Sequence, residues 1–316
     1  MASPEPTQQS SNRSSREQTE RAILNTVLYA DLFDYPLTVG EIAHYLGETI
    51  SDKEPVQAIL SAPIRLNGQI AQVGEYITLR GRESLVNRRL TRARSSLRLW
   101  RMARFYGKVL SNLPFVRMIA VTGALAMDNS DERDDVDILI VTAPARVWLA
   151  RLFAILVVNA AKFTATKLCP NYVLSQDVLA LGPRTIYVAH EFAQMVPLFG
   201  FPVYGQMRTA NPWAMQYLPN AGCPLHREPE YLPGRVSRAL KTAGEKLLSR
   251  RLGDWLEAWE MERKIRKFTS MNGMQGKNVI LDRDHVKGHF DDHSVRISSL
   301  YQRRIEEYRL GSHLRP

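Results

Sequence analysis

The sequence has little cysteine, and its polar first residues predict that it has no secretory leader. Its 316 residues include two cysteines, Cys169 and Cys223, and neither lies in a pairing motif. This composition fits a reducing compartment and argues against a disulfide-stabilised scaffold. Residues 1–16 are polar and rich in serine, glutamine and proline. We therefore predict a disordered tail here and a cytoplasmic protein.

Long apolar runs are also missing. The most apolar stretch, residues 147–161, is interrupted by Arg151 and is shorter than the roughly 18–20 residues that a membrane span requires. We interpret it as a buried helix and expect no membrane partner. No internal repeat is evident, and the glycines of residues 269–277 lack the spacing of a phosphate-binding P-loop.

Positive charge is concentrated in one segment. The net charge is +10, and residues 80–108 contain nine arginines and one lysine against the single acid Glu83. A localised basic surface indicates an anionic partner, most plausibly nucleic acid. The candidate contacts are Arg88, Arg92, Arg98 and Arg101. The alternative is a solvated helix face with no ligand.

The chain divides into segments of different pattern. Residues 17–80 contain three short apolar-periodic helices and a small hairpin, an order that resembles a winged helix-turn-helix. The third helix has nearly balanced charge, so a DNA reader and a protein-contact or structural wing both remain open. Residues 81–112 predict one basic connecting helix, and residues 206–316 predict a mainly helical C-terminal region.

Residues 113–205 follow the order strand, turn, strand, helix, strand, helix, which predicts an α/β (α+β) core with a mixed sheet. At its centre a strand leads into Thr122-Gly123-Ala124, and a polar loop then leads to a strand that begins Asp135-Val-Asp137. Strand side chains alternate, so we expect both aspartates on one face. Ionised carboxylates beside a buried strand require a cation or solvent.

This motif resembles the signature of the DNA polymerase β-like nucleotidyltransferase superfamily. With its preceding segment, the chain is similar to an uncharacterised bacterial group that has an N-terminal winged-helix-like segment. The resemblance implies a magnesium ion held by Asp135 and Asp137, and an NTP whose phosphates contact Thr122, Gly123 and Ala124. The implied reaction moves a nucleoside monophosphate onto a hydroxyl and releases pyrophosphate.

Two departures from the family pattern matter. Ala124 occupies a position where the family often has serine, and active members usually add a third carboxylate from a later strand. The strand predicted at residues 171–175 has no acid. Asp177 is the better candidate and Glu191 the second. Without a third acid, the alternative is a weak or inactive nucleotidyltransferase-fold protein that senses nucleotide or binds nucleic acid.

A second polar cluster contains three histidines, His285, His289 and His293. Their spacing of four would place them on one face of a helix, where imidazoles can bind zinc. A polar surface patch and a phosphate-contacting role are the alternatives. Three tryptophans, Trp213, Trp255 and Trp259, are expected to pack in the core.

Overall fold

A computed structural model of the chain describes residues 6–50, 53–61, 65–164, 167–270, 280–287 and 293–313. Over these ranges the chain forms twelve α-helices and nine strands, arranged as a three-stranded sheet and a six-stranded mixed sheet. This confirms the predicted mixture of helix and strand. The winged-helix assignment and the nucleotidyltransferase core remain predictions.

The N-terminal unit consists of three helices and a small sheet. Its elements are α1 (Pro6–Asp31), β1 (Leu37–Thr38), α2 (Val39–Tyr45), α3 (Glu54–Leu60), β2 (Ile70–Val73) and β3 (Tyr76–Leu79). The strands are antiparallel in the order β1-β3-β2. A capping box begins α2, because the Thr38 hydroxyl accepts a hydrogen bond from the Glu41 amide and the Glu41 carboxylate accepts one from the Thr38 amide.

The first helix is longer than the sequence pattern predicts. It begins at Pro6 rather than near Glu17, so it includes much of the expected disordered tail. No proline or glycine follows Pro6 within the helix. Once the apolar half of α1 is packed, each added residue extends the helix without a new nucleus, even where the side chains are polar.

The central part of the chain builds the larger sheet and its covering helices. Its elements are α4 (Leu85–Ser111), β4 (Val116–Val121), α5 (Gly123–Ala126), β5 (Val136–Thr142), α6 (Val147–Ala161), β6 (Leu168–Ser175), α7 (Ile186–Gln194), β7 (Val196–Phe199), α8 (Phe201–Ala210) and α9 (Ala214–Tyr217). The predicted long helix, the strand pair and the third strand are all present. Strand β7 was not predicted.

The C-terminal part adds two strands to the larger sheet and a helix that packs on the N-terminal unit. Its elements are α10 (Arg235–Leu248), α11 (Arg251–Ser270), β8 (Ile280–Leu281), β9 (His285–Lys287) and α12 (His293–His313). Strands β8 and β9 extend the larger sheet, whose order is β7-β4-β5-β6-β9-β8. The region is mainly helical, and its two short strands were not predicted: β9 pairs with β6, and β8 pairs with β9.

Helix α12 belongs to the N-terminal unit in space. Ile305 lies in the same buried cluster as Ile23 and Leu28, and Arg304 forms an ion pair with Asp31. The sequence division at residue 206 therefore does not follow the packing. Among the described residues, no helix combines the length and the apolar character that a membrane span needs.

Two layers of helix cover the larger sheet. On one face, Val136, Ile138 and Ile140 of β5 pack with α4 and α6. On the other face, Leu139 and Val141 pack with α7. Because side chains alternate along β5, Asp137 has the same parity as the second set and lies on the α7 side.

Candidate functional site

The predicted turn adopts a conformation that requires glycine. Strand β4 ends at Val121, and Gly123 has φ +67° at the start of the single-turn helix α5. A Cβ atom at Gly123 would lie 2.7 Å from Oδ2 of Asp137. Glycine therefore provides both the left-handed backbone and the space beside this carboxylate. The Thr122 amide donates to the Asp137 carbonyl at 3.1 Å.

Asp137 lines a cavity of about 380 Å³ with Gly123 and Ala124. The volume is within the range of small-molecule sites, which is roughly 300–1,000 Å³. The walls come from α1, the loop after α5, α7 and α12. The predicted phosphate turn and one predicted metal ligand are therefore brought to the same enclosed space.

Asp135 is not part of this cavity. It precedes β5, its side chain is 50% exposed, and its carboxylate lies 3.6 Å from the Lys167 ammonium. Alternation along a strand cannot be extended to Asp135, because the regular strand begins one residue later, at Val136. Of the two aspartates that the sequence pattern pairs, Asp137 lines the cavity and Asp135 pairs with Lys167.

Helix α7 brings a second carboxylate to the cavity. Its Thr185 N-cap accepts from the Val188 amide, and the helix turns Tyr187 and Glu191 toward Asp137. Burial raises the pKa of the Tyr187 phenol, and the negative charges of Glu191 and Asp137 raise it further. Both carboxylates therefore act on one phenol, which stays protonated and able to donate a hydrogen bond.

A bulge places an amide where the sequence analysis sought an acid. Ile138 of β5 pairs with Pro170 and Leu139 pairs with Tyr172, so Asn171 is the extra residue of β6. Asn171 lines the cavity that contains Asp137. Bulges redirect side chains in this way beside functional sites. An amide oxygen can ligate a hard cation, but it adds no negative charge.

The structure does not bring Asp177 to the site. Strands β5 and β6 are parallel, Asp137 pairs with Cys169, and Thr142 pairs with Ser175. Asp177 follows Ser175 and therefore lies beyond the far end of the strand pair, roughly 15 Å or more from Asp137 at about 3.3 Å per residue. Glu191, the second candidate, is the carboxylate that shares the cavity.

The polar loop between α5 and β5 contains three aspartates whose hydrogen bonds and ion pairs lie outside the cavity. The Asp128 carboxylate accepts from the Trp100 indole at 2.6 Å, and Asp131 pairs with Arg92 at 3.1 Å. Asp134 accepts from the Asp131 amide. These contacts anchor the loop to α4 and to itself, and none of the three residues lines the cavity.

The basic helix α4 is partly neutralised by acids from other elements. Arg88 pairs with Asp34 at 2.7 Å, and Arg92 is only 12% exposed in its pair with Asp131. Further pairs join other arginines of residues 80–108 to acids: Arg82 with Asp31 and Asp34, Arg89 with Glu41, and Arg104 with Glu228. Of the four predicted nucleic-acid contacts, Arg88, Arg98 and Arg101 are exposed, and Arg88 is the one of these three that pairs with Asp34. Three of these arginines, Arg82, Arg88 and Arg89, pair with acids of the N-terminal unit and so join it to the segment that contains α4.

Two of the three clustered histidines lie in different elements. His285 lies in β9, where its Nδ1 is 3.1 Å from the Asp282 carboxylate. His293 begins α12, and His289 lies outside the described residues. His285 and His293 therefore do not share one helix. No group of three or more metal-ligating side chains occurs in the described part of the chain.

Aromatic residues of the N-terminal unit close the cavity on one side. The His190 ring stacks on Tyr29 with centroids 3.9 Å apart and lies near Tyr45. Burial, together with a smaller effect of His44, lowers the pKa of His190 to about 3. His190 is therefore neutral at physiological pH and serves as an aromatic wall.

This buried histidine makes a pH dependence expected. Below pH 6.5 the unfolded chain binds a proton at His190, while the folded chain does not until about pH 3. The group's contribution to stability is present above pH 6.5 and is lost as the pH falls. Between pH 7 and pH 5 we expect a loss of about 2 kcal/mol from this residue. Urea unfolding of the wild type and of His190→Phe, which retains a stacking ring, should differ by this amount in their pH dependence; equal dependence would contradict it.

The oxygen-bearing side chains of the cavity are of the types that bind a magnesium ion. Mg²⁺ typically takes one or two protein carboxylates together with substrate phosphates. Asp137 and Glu191 provide two carboxylates in one cavity, and Asn171 provides an amide oxygen. The buried hydroxyl of Thr122 has no protein hydrogen-bond partner within the described structure. Asp135 would have to leave Lys167 to join this set.

Several cavity residues were not predicted from the sequence, namely Tyr29, Asn171, Tyr187 and Arg296. Arg296 arrives from α12, more than a hundred residues after Asp137, and no local pattern signals that approach. Asn171 lies within the predicted strand, but the family pattern has an acid there, so this amide was not among the predicted site residues.

The chain matches no protein-family model, no curated protein and no solved structure.

Proposed function

We propose that this chain is a Mg²⁺-dependent nucleotidyltransferase that transfers a nucleoside monophosphate from an NTP onto a hydroxyl acceptor. The observation that carries the proposal is that Asp137 and Glu191 line one cavity beside the Gly123 turn. Two carboxylates in one cavity are unfavourable for a polyanionic ligand unless a cation accompanies it. When bound, Mg²⁺ neutralises phosphate charge and orients the substrate.

The cavity has features that suit the two ends of a nucleotide. Small residues at Gly123 and Ala124 allow backbone N–H groups to approach phosphate oxygens. Arg296 adds a positively charged side chain to the lining. Aromatic rings of Tyr29, Phe33 and Tyr45 contribute to the same walls, and such rings stack on nucleobases.

The proposed reaction is balanced without a further reagent. An acceptor oxygen forms a bond to the α-phosphorus as the bond between that phosphorus and the bridging oxygen breaks, and pyrophosphate leaves. The acceptor hydroxyl gives up its proton to solvent or to a carboxylate of the cavity. Positioning and charge neutralisation supply most of the rate in such transfers.

A second candidate function is nucleotide sensing without turnover. Two observations favour it: Lys167 pairs with Asp135, and the bulge residue of β6 is Asn171 rather than an acid. Such a site would retain ligand binding while lacking the third negative charge that active members of the resembled superfamily usually have. The accessible arginines Arg98 and Arg101 would then serve a regulatory contact with nucleic acid.

Binding and turnover measured with and without metal separate these functions. We expect calorimetric titration to show NTP binding with Mg²⁺ that weakens at least tenfold in EDTA, because the carboxylates then face the phosphates directly. An NTP labelled at the α-phosphate should label an RNA, protein or small-molecule hydroxyl acceptor and release pyrophosphate. Metal-dependent binding without labelling of any acceptor class supports sensing, whereas absence of nucleotide binding contradicts both functions.

A further inference from the structure

Helix α10 is attached to the body of the protein by its charged side. The Lys241 ammonium donates to the carbonyls of Ser111 and Val116 at 2.7 and 2.6 Å. The Glu245 carboxylate accepts from the Phe115 amide and pairs with Arg117, both at 2.7 Å. These contacts are specific to their side chains, and they fix which face of the helix is turned inward.

The apolar side of α10 consequently faces outward. Val236, Leu240 and Leu247 are 73%, 69% and 69% exposed. Their spacing of four and seven residues places them on one stripe together with Ala243. A surface helix of a globular protein normally turns such a stripe toward the core. Here the arrangement is reversed, so the stripe is available for a partner.

Helix α11 continues this pattern. Its inward face carries Glu257, whose carboxylate accepts from the amides of Trp148 and Leu149 at 2.8 and 2.7 Å. Its outward face carries Trp255 and Trp259, which are 60% and 42% exposed and stack on each other. These two tryptophans were expected in the core, but the buried carboxylate contact turns them outward. Trp213 is buried as expected.

Positive charge borders the apolar stripe. Arg235, Arg238 and Lys246 line one shallow surface that also includes Ala243, a member of the stripe. Further exposed basic residues follow at Arg250, Arg251, Arg266 and Lys267. Among the described side chains of α10 and α11, the exposed acids are Asp254, which pairs with Arg146, and Glu262. The exposed face of both helices is therefore apolar and cationic.

We propose that α10 and α11 attach the protein to the surface of a membrane that contains anionic lipid. Helices with Leu and Trp on one face and Arg and Lys beside it lie in the interface of a bilayer, where the apolar side chains enter the lipid and the cations meet the headgroups. This proposal departs from the expectation of no membrane partner, which was based on the lack of a spanning segment. A surface-bound helix requires no span.

The charge and the side-chain types favour this occupant over two others. A second copy of the chain, paired through the same stripe, would bring Arg235, Arg238 and Lys246 toward their own copies, and like charges repel. Nucleic acid would pair with the cations and stack on the tryptophans, but it would leave Val236, Leu240 and Leu247 in water. A lipid surface satisfies both the cations and the aliphatic side chains.

Vesicle sedimentation with the full chain tests the proposal. We expect binding to vesicles of phosphatidylcholine with 30% phosphatidylserine and at least tenfold weaker binding to phosphatidylcholine alone. Leu240→Glu and Trp255→Glu should each reduce binding at least tenfold, and Arg238→Gln by about fivefold. Leu97→Glu is a matched control, because Leu97 is an exposed leucine of α4 outside these helices, and it should bind as the wild type does.

The contrary outcomes are equally specific. Failure of the wild type to bind phosphatidylserine vesicles would overturn the proposal, as would wild-type binding by Leu240→Glu. Self-association lost in Leu240→Glu, measured by analytical ultracentrifugation without lipid, would assign the face to a dimer instead. Wild-type binding to duplex DNA but not to vesicles, with the DNA binding weakened in Arg238→Gln, would assign the face to nucleic acid. Far-ultraviolet circular dichroism of each variant verifies that the helices remain folded.

Discussion

Replacement of Asp137 with asparagine is expected to lower nucleotidyl transfer by about a hundredfold to a thousandfold. The substitution keeps the size of the side chain and removes the charge that a divalent cation requires. Several kilocalories per mole of transition-state stabilisation depend on such a cation, and each 1.36 kcal/mol is a factor of ten in rate. Initial rates of acceptor labelling, at saturating NTP and Mg²⁺, measure the loss.

Two matched variants identify the cause of that loss. Asp177→Asn removes an exposed carboxylate at the opposite end of the parallel strands, and we expect unchanged transfer. Glu191→Gln removes the second carboxylate of the cavity, and we expect a loss comparable to that of Asp137→Asn. A wild-type rate in Asp137→Asn, or an equal loss in Asp177→Asn, would show that the cavity is not the site of transfer.

Replacement of Gly200 with alanine is expected to lower the stability of the fold strongly. Gly200 has φ +78°, and a Cβ atom there would lie 2.0 Å from the Arg117 carbonyl oxygen and 2.9 Å from the Met118 Cα atom. Both neighbours are backbone atoms of β4, the strand that leads to the Gly123 turn. Left-handed strain and forced displacement together cost about 2 to 5 kcal/mol.

Gly205 provides a control within the helix that follows Gly200. It lies in α8, and a Cβ atom there meets no heavy atom within 4 Å. Gly205→Ala should therefore stabilise the protein by about 0.5–1 kcal/mol, since alanine is the better helix former. Urea midpoints of the two variants should move in opposite directions. A Gly200→Ala midpoint within error of the wild type would contradict the close packing.

The Gly123 turn and the position of Asp137 could be predicted because each depends on local rules. A small residue at a strand-to-helix turn and the two-residue period of a strand act over a few residues, and they place Asp137 on the α7 face. The same period was extended to Asp135, one residue outside the strand. The exposed carboxylate of Asp135 lies 3.6 Å from the Lys167 ammonium. Strand alternation does not determine the direction of a side chain outside the strand.

Which of the candidate acids, Asp177 or Glu191, reaches the cavity could not be decided from the sequence, because the answer depends on strand register and direction. Asp177 is adjacent in sequence to a strand that is adjacent in space, but the strands are parallel and their far ends are distant. Glu191 reaches the cavity because α7 crosses the face on which Asp137 lies. Asn171 reaches it through one extra residue in β6. Neither the position of α7 nor the bulge in β6 can be read from a single sequence.

The charge count over residues 80–108 omits the partners of several arginines for a related reason. Arg82, Arg88, Arg89, Arg92 and Arg104 were counted as surplus, although their partners are acids from distant parts of the chain. Pairing over long sequence separations is invisible to a local charge count. In α10 the local pattern predicts that the apolar face packs inward. The contacts of Lys241 and Glu245 turn that face outward instead.

The packing of α12 on α1 has a consequence for how the chain acquires its structure during synthesis. Ile305 completes the apolar cluster that begins with Ile23, and Arg304 meets Asp31. Domains generally fold as their chain emerges from the ribosome. The N-terminal unit needs residues near 305, so it can be completed only after about 300 residues have been synthesised. Until then its cluster stays open, and a truncated fragment of residues 6–80 would expose apolar surface. Arg296, on the same helix, reaches the cavity in the same late step, so the folding of the N-terminal unit and completion of the candidate site are one event.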